Sequence, residues 1–507
     1  MSTGRDSAEV APVAGEPLRF ASPAGRWVVL ATVLGSGIAA LDATVVNIAL
    51  PVMGEDLDAG VAGLQWILNG YLLALAALIL LGGSLGDRFG RKRVFLVGVV
   101  WFAAASLLCG LAPSVELLAA ARVLQGIGGA LLTPGSLAIL QASFHPDDRG
   151  RAIGAWSALG GVAIAAGPFL GGYLVDAGSW RWIFLLNLPV AAVTVAVTLA
   201  HVPETTDPDS GAGLDVAGAF LGALGLAGVT YALVEGPGTG WTSAPIAGAA
   251  ALGVVGIVGF ALVETRGRHP MLPLDIFRSR QFSGANIVTF TVYAALGGAV
   301  FLLGLQLQQV LGYTPLEAGA ALFPVTVLML GLSARAGALA TAIGPRVPMT
   351  FGPLGVAAGL WLMTRIEPGT RFTSTVLPAV VVFGLGLALT VAPLTTTVLA
   401  AAEDRHAGIA SGVNNAVARL AGLLAIAILP VAAGITGDDY RYPEAFSAGF
   451  RTALFLAALL AAAGGVLAWI TIRNGEAGAA SGREPEHQDT YCALDAPPLR
   501  AAERTSA

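Results

Sequence analysis

Long, uninterrupted apolar runs recur along this 507-residue chain and constrain its fold more than any other feature. A helix that crosses the hydrocarbon core of about 30 Å needs roughly 20 mostly apolar residues. Runs of this kind predict fourteen spans, at 27–50, 64–85, 94–112, 115–140, 152–174, 182–201, 215–235, 244–264, 282–309, 318–343, 348–366, 376–399, 407–434 and 447–472. We therefore predict an all-α integral membrane protein.

Composition excludes several other classes of protein. The chain is 55% hydrophobic and 12% charged, whereas soluble domains carry about 25% charged residues. No dense basic cluster indicates nucleic-acid binding. The two cysteines, Cys109 and Cys492, do not indicate a disulfide framework, and no residues have metal-ligand spacing. We expect no cofactor, no metal and no enzymatic activity.

The distribution of positive charge predicts the orientation. An even number of spans places both termini on one side of the membrane. Of the 27 Lys and Arg residues, 20 lie in segments on the side of the termini and five on the other side, while Arg122 and Arg419 lie inside spans. Cytoplasmic loops are enriched in Lys and Arg, so both termini are predicted to be cytoplasmic. The loop at 202–214, which has no Lys or Arg, departs from this pattern.

Two oppositely charged residues lie inside spans at similar depth. Asp42 lies nine residues before the outer end of the first span, and Arg122 six residues after the outer start of the fourth, at depths of about 13 Å and 9 Å. Charges inside a span are costly and mark functional sites. The pair is interpreted as a proton site, with a structural ion pair as the alternative. Arg419 lies deep in the thirteenth span unless its side chain extends to the interface.

A turn rich in glycine and charge joins the second and third spans. It reads GSLGDRFGRKR over residues 83–93. Glycines permit a tight turn, and the basic residues anchor it at the membrane surface. Asp87 can pair with those bases or cap a neighbouring helix. A loop that served orientation alone would not need this spacing of Gly and Asp.

Two more segments have unusual patterns, LAAARVLQGIGGA at 118–130 and AIAAGPFLGG at 163–172. In the second, Pro168 removes a backbone donor, and its glycines permit close approach of another helix. The fifth span is therefore predicted to be kinked and tightly packed.

These segments resemble the signatures of the major facilitator superfamily. The turn at 83–93 is similar to motif A, and 118–130 is similar to motif B, whose arginine corresponds to Arg122. The segment 163–172 is similar to motif C, the antiporter signature, with Ala163 in place of its first glycine. LDATVVNIALP at 41–51, WRWIFLLNLP at 180–189 and LGYTPLEAG at 311–319 resemble the fourteen-span drug:proton antiporter (EmrB/QacA-type) branch.

The resemblance covers residues 27–472 and implies the major facilitator fold. It implies an N-terminal six-helix bundle at 26–201, two inserted helices with their loops at 202–281, and a C-terminal six-helix bundle at 282–472. A cytoplasmic tail at 1–25 precedes them, and the polar tail at 473–507 is predicted to be disordered. The second bundle keeps only Gly344-Pro-Arg346 of motif A, without the preceding Asp.

The resemblance also implies a function: export of small hydrophobic or cationic compounds, such as drugs and antibiotics, in exchange for protons by alternating access, in a bacterial cell membrane. Asp42 and Arg122 are then the candidates for proton coupling. The expected conformational latch is Gly83, Asp87, Arg88, Gly90, Arg91 and Lys92, and the expected antiporter motif is Gly167, Pro168, Gly171 and Gly172. Candidates for the substrate cavity are Asn69, Tyr71, Gln125, Asn286, Tyr293, Gln306 and Asn414.

Several alternatives remain at this point. Each cavity candidate alone is as likely to form an ordinary hydrogen bond between helices. The transporter is either a drug exporter or a dedicated exporter of one metabolite, such as its own antibiotic, a siderophore or an amino acid. A proton-coupled uptake symporter and a membrane enzyme are disfavoured. The expected partners are a small-molecule substrate, protons and membrane lipid, with no nucleic acid, and we expect a monomer.

Overall fold

The computed structural model describes residues 17–206, 214–267, 271–272, 274–401 and 407–474. Within these residues the chain forms sixteen α-helices, short 3₁₀ and π segments, and one isolated β-bridge, between Leu18 and Phe144. The prediction of an all-helical chain is confirmed. Nearly all of the N-terminal and C-terminal tails, including Cys492, lies outside the described residues.

The helices follow the predicted apolar runs. The first half contains α1 (Pro23–Asp56), α2 (Val61–Phe89), α3 (Arg91–Leu111), α4 (Val115–Ser143), α5 (Pro146–Ala177), α6 (Trp182–Leu185) and α7 (Asn187–His201). Next come α8 (Val216–Thr239) and α9 (Ala244–Arg266). The second half contains α10 (Arg280–Leu305), α11 (Pro315–Ala321), α12 (Phe323–Ile343), α13 (Arg346–Met363), α14 (Leu377–Ala400), α15 (Ala407–Ala432) and α16 (Pro443–Thr471).

Thirteen helical segments in the described ranges are long and apolar enough to cross a membrane. Two of them combine neighbouring helices: α6 with α7, and α11 with α12. The predicted run at 348–366 corresponds to α13, which has only 18 residues and begins with Arg346. The fourteenth crossing therefore stays a prediction.

The connections between helices alternate between two sides of the molecule. On one side, the backbone N–H of Leu18 donates to the carbonyl of Ser143 at 2.8 Å. The backbone N–H of Arg346 donates to the side chain of Asn474 at 3.1 Å on the same side. We call this the terminal side, because the first and last described residues lie there, and we call the other the far side.

The helices pack in two groups. In the first bundle (α1–α7), α4 packs against α2 and α3, and α1 packs against α5 and α7. In the second bundle (α10–α16), α10 packs against α15 and α16, and α13 packs against α14 and α16. The intervening α8 and α9 pack on each other, and α8 contacts α2 and α15, one helix from each bundle.

Contacts on the far side join the two bundles. The buried hydroxyl of Tyr440 donates to the carbonyl of Ala59 at 2.7 Å. Burial raises the pKa of Tyr440, so its hydroxyl stays a donor. Arg441 pairs with Asp58, with 2.8 Å between nitrogen and oxygen.

Further hydrogen bonds between the two bundles lie closer to the middle of the helices. The side-chain amide of Gln308 donates to the carbonyl of Ile48 at 2.9 Å, and that of Gln65 donates to the carbonyl of Ile426 at 2.6 Å. We call the contacts of residues 48–65 and 172–176 with residues 308–319 and 426–441 the far-side seal. They hold the far side closed in this structure.

Candidate functional site

A buried ion pair lies in the first bundle. Asp42 on α1 is 2% exposed, Arg122 on α4 is 1% exposed, and the guanidinium donates to the carboxylate of Asp42. The other carboxylate oxygen accepts from the amide of Gln125 at 2.9 Å and from that of Asn187 at 3.3 Å. Three side chains therefore donate hydrogen bonds to one carboxylate. The structure brings together Asp42 and Arg122, as predicted.

The guanidinium of Arg122 is held from several directions. Its Nε donates to the carbonyl of Ile67 at 3.0 Å, and its Nη1 also donates to Gln125 at 2.6 Å. Its carbon lies over the ring of Tyr71 at 4.5 Å from the centroid, and 5.8 Å from that of Phe184. Aromatic faces attract a cation, so these rings contribute to holding the charge in a desolvated place.

Helix geometry explains why α4 supplies both Arg122 and Gln125. Residues three apart lie on the same face of a helix. Two glycines one turn further along let neighbouring helices come close to α4. A Cβ at Gly126 would overlap the backbone of Tyr71, and one at Gly128 would lie 2.7 Å from the backbone nitrogen of Phe102.

A second layer of polar residues supports the pair, and sequence analysis missed it. Ser106 accepts from Asn187 at 2.9 Å and from Gln125 at 3.2 Å, and it donates to the carbonyl of Phe184 at 2.9 Å. Ser106 and Asn187 are buried within predicted spans. An amide in a span, as in the segment 180–189, is the signal that would have indicated Asn187.

This arrangement has a simple chemical consequence. A proton added to Asp42 removes the charge that compensates Arg122, so the ion pair loses its attraction. Residues inside a membrane that gain and lose a proton in this way are suited to proton relays.

The antiporter-like segment of α5 packs closely on α1. A Cβ at Gly167 would overlap the side chain of Thr44, and one at Gly171 would lie 2.9 Å from Val45. Where Ala163 replaces the first glycine of the motif, the residue opposite is Gly37, and a Cβ there would lie 3.8 Å from that of Ala163, an ordinary contact. At this position there is therefore room for a small side chain on both helices.

The same segment also contacts the second bundle. A Cβ at Gly172 would lie 2.6 Å from the Cα of Leu316 on α11, and one at Gly319 would overlap the carbonyl of Pro168. The backbone N–H of Leu316 donates to Asp176 at 3.2 Å. Two separate sequence motifs, 163–172 and 311–319, thus form one contact within the far-side seal.

The predicted latch forms the turn between α2 and α3 on the terminal side. Asp87 pairs with Arg91 at 2.8 Å, and Gly90 has a φ of 108°, which favours glycine. Glu204, which sequence analysis did not single out, accepts from the backbone N–H of Lys92 at 3.0 Å. Arg88 points outward and lies over the ring of Phe89. Gly83 lies opposite Pro134 on α4.

The second bundle has a related turn between α12 and α13. Gly344 has a φ of 87°, and Asn474 accepts from the backbone N–H of Arg346 at 3.1 Å. Its amide donates to the carbonyl of Ile343 at 3.2 Å. Asn474 follows the last helix of the second bundle and binds this turn. Glu204, which follows the last helix of the first bundle, binds the turn there in the same way. The degenerate second motif therefore keeps its turn without the acid.

The candidates for the substrate cavity divide into two groups. Asn414 donates to Asn286 at 3.2 Å, and Gln306 donates to the carbonyl of Ile366 at 2.8 Å, so these three make bonds between helices. Gln125 belongs to the ion-pair network. For the remaining three, Asn69, Tyr71 and Tyr293, no described residue forms a hydrogen bond with the side chain.

Known proteins resemble this chain along most of its length. The model of the Major Facilitator Superfamily matches residues 32–426. The tetracenomycin C resistance and export protein of Streptomyces glaucescens is 36% identical over 402 residues, which are 79% of this chain and 74% of that protein. The methylenomycin A resistance protein of Streptomyces coelicolor is 37% identical over 88% of this chain and 92% of that protein. The puromycin resistance protein pur8 of Streptomyces alboniger is 35% identical over 88% of this chain and 91% of that protein.

Solved structures share the fold. A POT family transporter in complex with a thioalcohol-conjugated peptide superposes with a TM-score of 0.65 at 12% identity, over 88% of this chain and 95% of that one. The peptide transporter POT in complex with sulfate gives 0.62 at 15% identity, over 90% and 97%. At such identities the likeness concerns the fold alone.

Proposed function

Because the chain belongs to the Major Facilitator Superfamily, we propose that it is a transporter that exports small hydrophobic compounds, drugs and antibiotics among them, in exchange for protons. The observation that carries the proton coupling is the buried pair of Asp42 and Arg122 inside the first bundle. The names of the relatives, which include antibiotic resistance and export proteins, support export. The chain acts as a transporter, without an enzymatic step.

The proposed cycle follows from the far-side seal and the ion pair. In the proposed cycle, the state with the far side closed and Asp42 paired with Arg122 follows proton release. Reopening of the far side exposes Asp42 to protons there. Protonation breaks its pairing with Arg122 and returns the transporter to the closed state, and binding of a substrate accompanies proton release on the terminal side.

We also propose the fourteen-span drug:proton antiporter branch, with α13 as the shortest crossing. The terminal side is cytoplasmic and the membrane is the bacterial cell membrane, because 20 of the 27 basic residues lie in segments on the terminal side. The first bundle corresponds to the unit at 26–201, the pair α8–α9 to the unit at 202–281, and the second bundle to the unit at 282–472. The turns at Gly90 and Gly344 act as latches on the cytoplasmic face.

Export of a single compound is a second candidate. Three relatives are named for one antibiotic each, namely tetracenomycin C, methylenomycin A and puromycin. A relative from Mycobacterium tuberculosis, 36% identical, is instead named a multidrug resistance protein. Resistance of a pump-deficient bacterial host to one class of compound would favour the dedicated exporter, and resistance to many classes the drug exporter.

Proton coupling is tested in everted membrane vesicles from such a host. A substrate added to energised vesicles is expected to release protons through the wild-type protein and not through Asp42→Asn. The matched control is Asp275→Asn, which removes an exposed carboxylate from the short segment between α9 and α10. If Asp42→Asn accumulates substrate against a gradient as well as wild type does, the proposed coupling site is wrong.

A further inference from the structure

Arg419 is a cation inside the second bundle. It is the thirteenth of the 26 residues of α15 and is half-buried. No described residue pairs with its guanidinium or accepts a hydrogen bond from it. A charged residue at the centre of a span is costly, so it is retained where a partner or a function compensates for it. Because it lies mid-helix, its side chain is not at a membrane interface.

The packing of α15 against α2 shows which way Arg419 faces. The amide of Gln65 on α2 donates to the carbonyl of Ile426, and a Cβ at Gly412 would lie 3.2 Å from Leu80 on α2. These two points fix an antiparallel register between the helices. Arg419 follows Gly412 by two helical turns, so it lies on the same face of α15. It is directed at the middle of α2, in the interface between the two bundles.

In this interface, α2 carries a buried polar side chain that forms no hydrogen bond with a described residue. Asn69 on α2 is fully buried, and neither its oxygen nor its nitrogen has a partner among the described residues. In the same register Asn69 lies level with Gly422 on α15. A Cβ placed on Gly422 would have no neighbouring atom within 4 Å. A buried amide without a partner is destabilising, and a hydrogen bond to a bound ligand would compensate for that cost.

The balance of charge decides what kind of ligand fits. Asp42 is the one acidic residue that lies more than five residues from the end of a described helix, and Arg122 already compensates it. A cationic compound between α2 and α15 would meet a like charge, and the carboxylate that α8 places beside α2, that of Glu235, already accepts from the indole of Trp66 at 2.7 Å. An anionic compound would meet Arg419 and the amide of Asn69.

We propose that the interface between α2 and α15 beside Arg419 is a substrate subsite for the anionic oxygen of a hydrophobic acid, such as a carboxylate, enolate or phenolate. Arg419 provides the counter-ion, and Asn69 donates a hydrogen bond. This proposal rests on the proposed function and narrows its substrate class, since the resemblance implied hydrophobic or cationic compounds. Neutral compounds would bind through the apolar walls alone.

Three probes with one ring system test the proposal: 2-naphthoate, its methyl ester and 2-naphthylmethylamine. Their affinities for the purified full chain are measured by isothermal titration calorimetry. We expect wild type to bind the acid at least tenfold more tightly than the ester, and the amine more weakly than either. Equal or undetectable binding of the three probes by wild type overturns the proposal, and no variant is needed for that result.

Variants then assign the preference to Arg419. Arg419→Gln is expected to bring the acid to within about twofold of the ester, as expected when one charge-assisted contact is lost. Arg419→Lys keeps the charge and part of the preference. The matched control is Arg365→Gln, which removes a charge stacked on Trp361 at the far side. An unchanged preference in Arg419→Gln would assign the acid to another site.

These measurements separate the subsite from the wider function. Binding of an acid does not require a proton gradient, so the preference for the acid survives if the proton coupling is wrong. Proton-driven export of neutral compounds with no preference for acids would instead contradict the subsite and leave the exporter in place.

Discussion

Asp42 and Arg122 are both buried, and each stabilises the charge of the other. The effects of substituting them one at a time on stability are therefore coupled. Removing one partner of a buried pair costs about 3–5 kcal/mol, because the other charge is left uncompensated. Removing both charges costs less, since no unpaired ion remains. This difference separates an interacting pair from two residues that only happen to be buried.

We therefore predict a strong coupling in a double-mutant cycle. Asp42→Asn alone is expected to destabilise the protein by about 3–5 kcal/mol, and Asp42→Asn with Arg122→Gln by less than Asp42→Asn alone. Unfolding of the purified protein in detergent measures the free energies, with Asp275→Asn as the control. Strictly additive effects would mean that the two residues do not interact. A stable double variant that lacks proton coupling would confirm that the pair does more than hold the fold.

Sequence alone predicted this pair because a charge inside an apolar run is conspicuous. Asn187 and Ser106 were not predicted, because uncharged polar residues occur in many spans and only the three-dimensional arrangement shows their partners. Glu204 and Asn474 lie beyond the ends of helices, where polar residues are common. Their roles depend on turns that are distant in the sequence.

At the scale of helices, the position of α5 depends on its glycines. Gly172 faces the backbone of α11 so closely that no side chain fits there. Close packing of this kind, rather than hydrophobic burial, holds helices together in lipid. The contact belongs to the far-side seal, so its loss affects both helix packing and closure.

We predict that Gly172→Leu separates α5 from α11 and makes the far side leaky to protons. Vesicles that carry the variant should lose an imposed pH gradient several-fold faster than wild-type vesicles in the absence of substrate. Gly248→Leu is the matched control, because a side chain at Gly248 on α9 meets no neighbouring atom within 4 Å. A pH gradient that decays equally in both variants would exclude this contact from the seal.

The helices themselves were largely predictable, since the length of each apolar run sets the length of each helix. Irregularities within them were not. The sixth span breaks at Leu186 into α6 and α7, and α10 ends in a π segment at Gln306–Val310. Such breaks depend on neighbouring helices and loops that satisfy the freed backbone groups, which no local pattern reveals.

At the scale of the whole molecule, the two bundles meet tightly on the far side. The apolar runs and the motifs predicted the architecture but not which side is closed. Closure depends on polar contacts of loop residues, such as Tyr440 with Ala59 and Arg441 with Asp58. Alternating access requires that these contacts separate once in each cycle.

We predict that a covalent bond across the far-side seal stops transport reversibly. The variant carries Asp58→Cys and Arg441→Cys, with Cys109→Ala and Cys492→Ala to remove the native thiols. A short, reducible bifunctional thiol reagent should abolish export, and a reductant should restore it. The single variant Asp58→Cys, treated in the same way, controls for modification alone. Full export by a completely cross-linked protein would contradict alternating access through this seal.

The far-side seal also has a pharmacological consequence. In the proposed orientation, its edges at residues 57–60 and 437–441 face the outside of the cell. A nanobody or macrocycle that binds both edges would hold the transporter closed from outside, with no need to cross the cell membrane. Such a molecule would restore the potency of an expelled antibiotic, and it would not compete with that antibiotic for a common pocket.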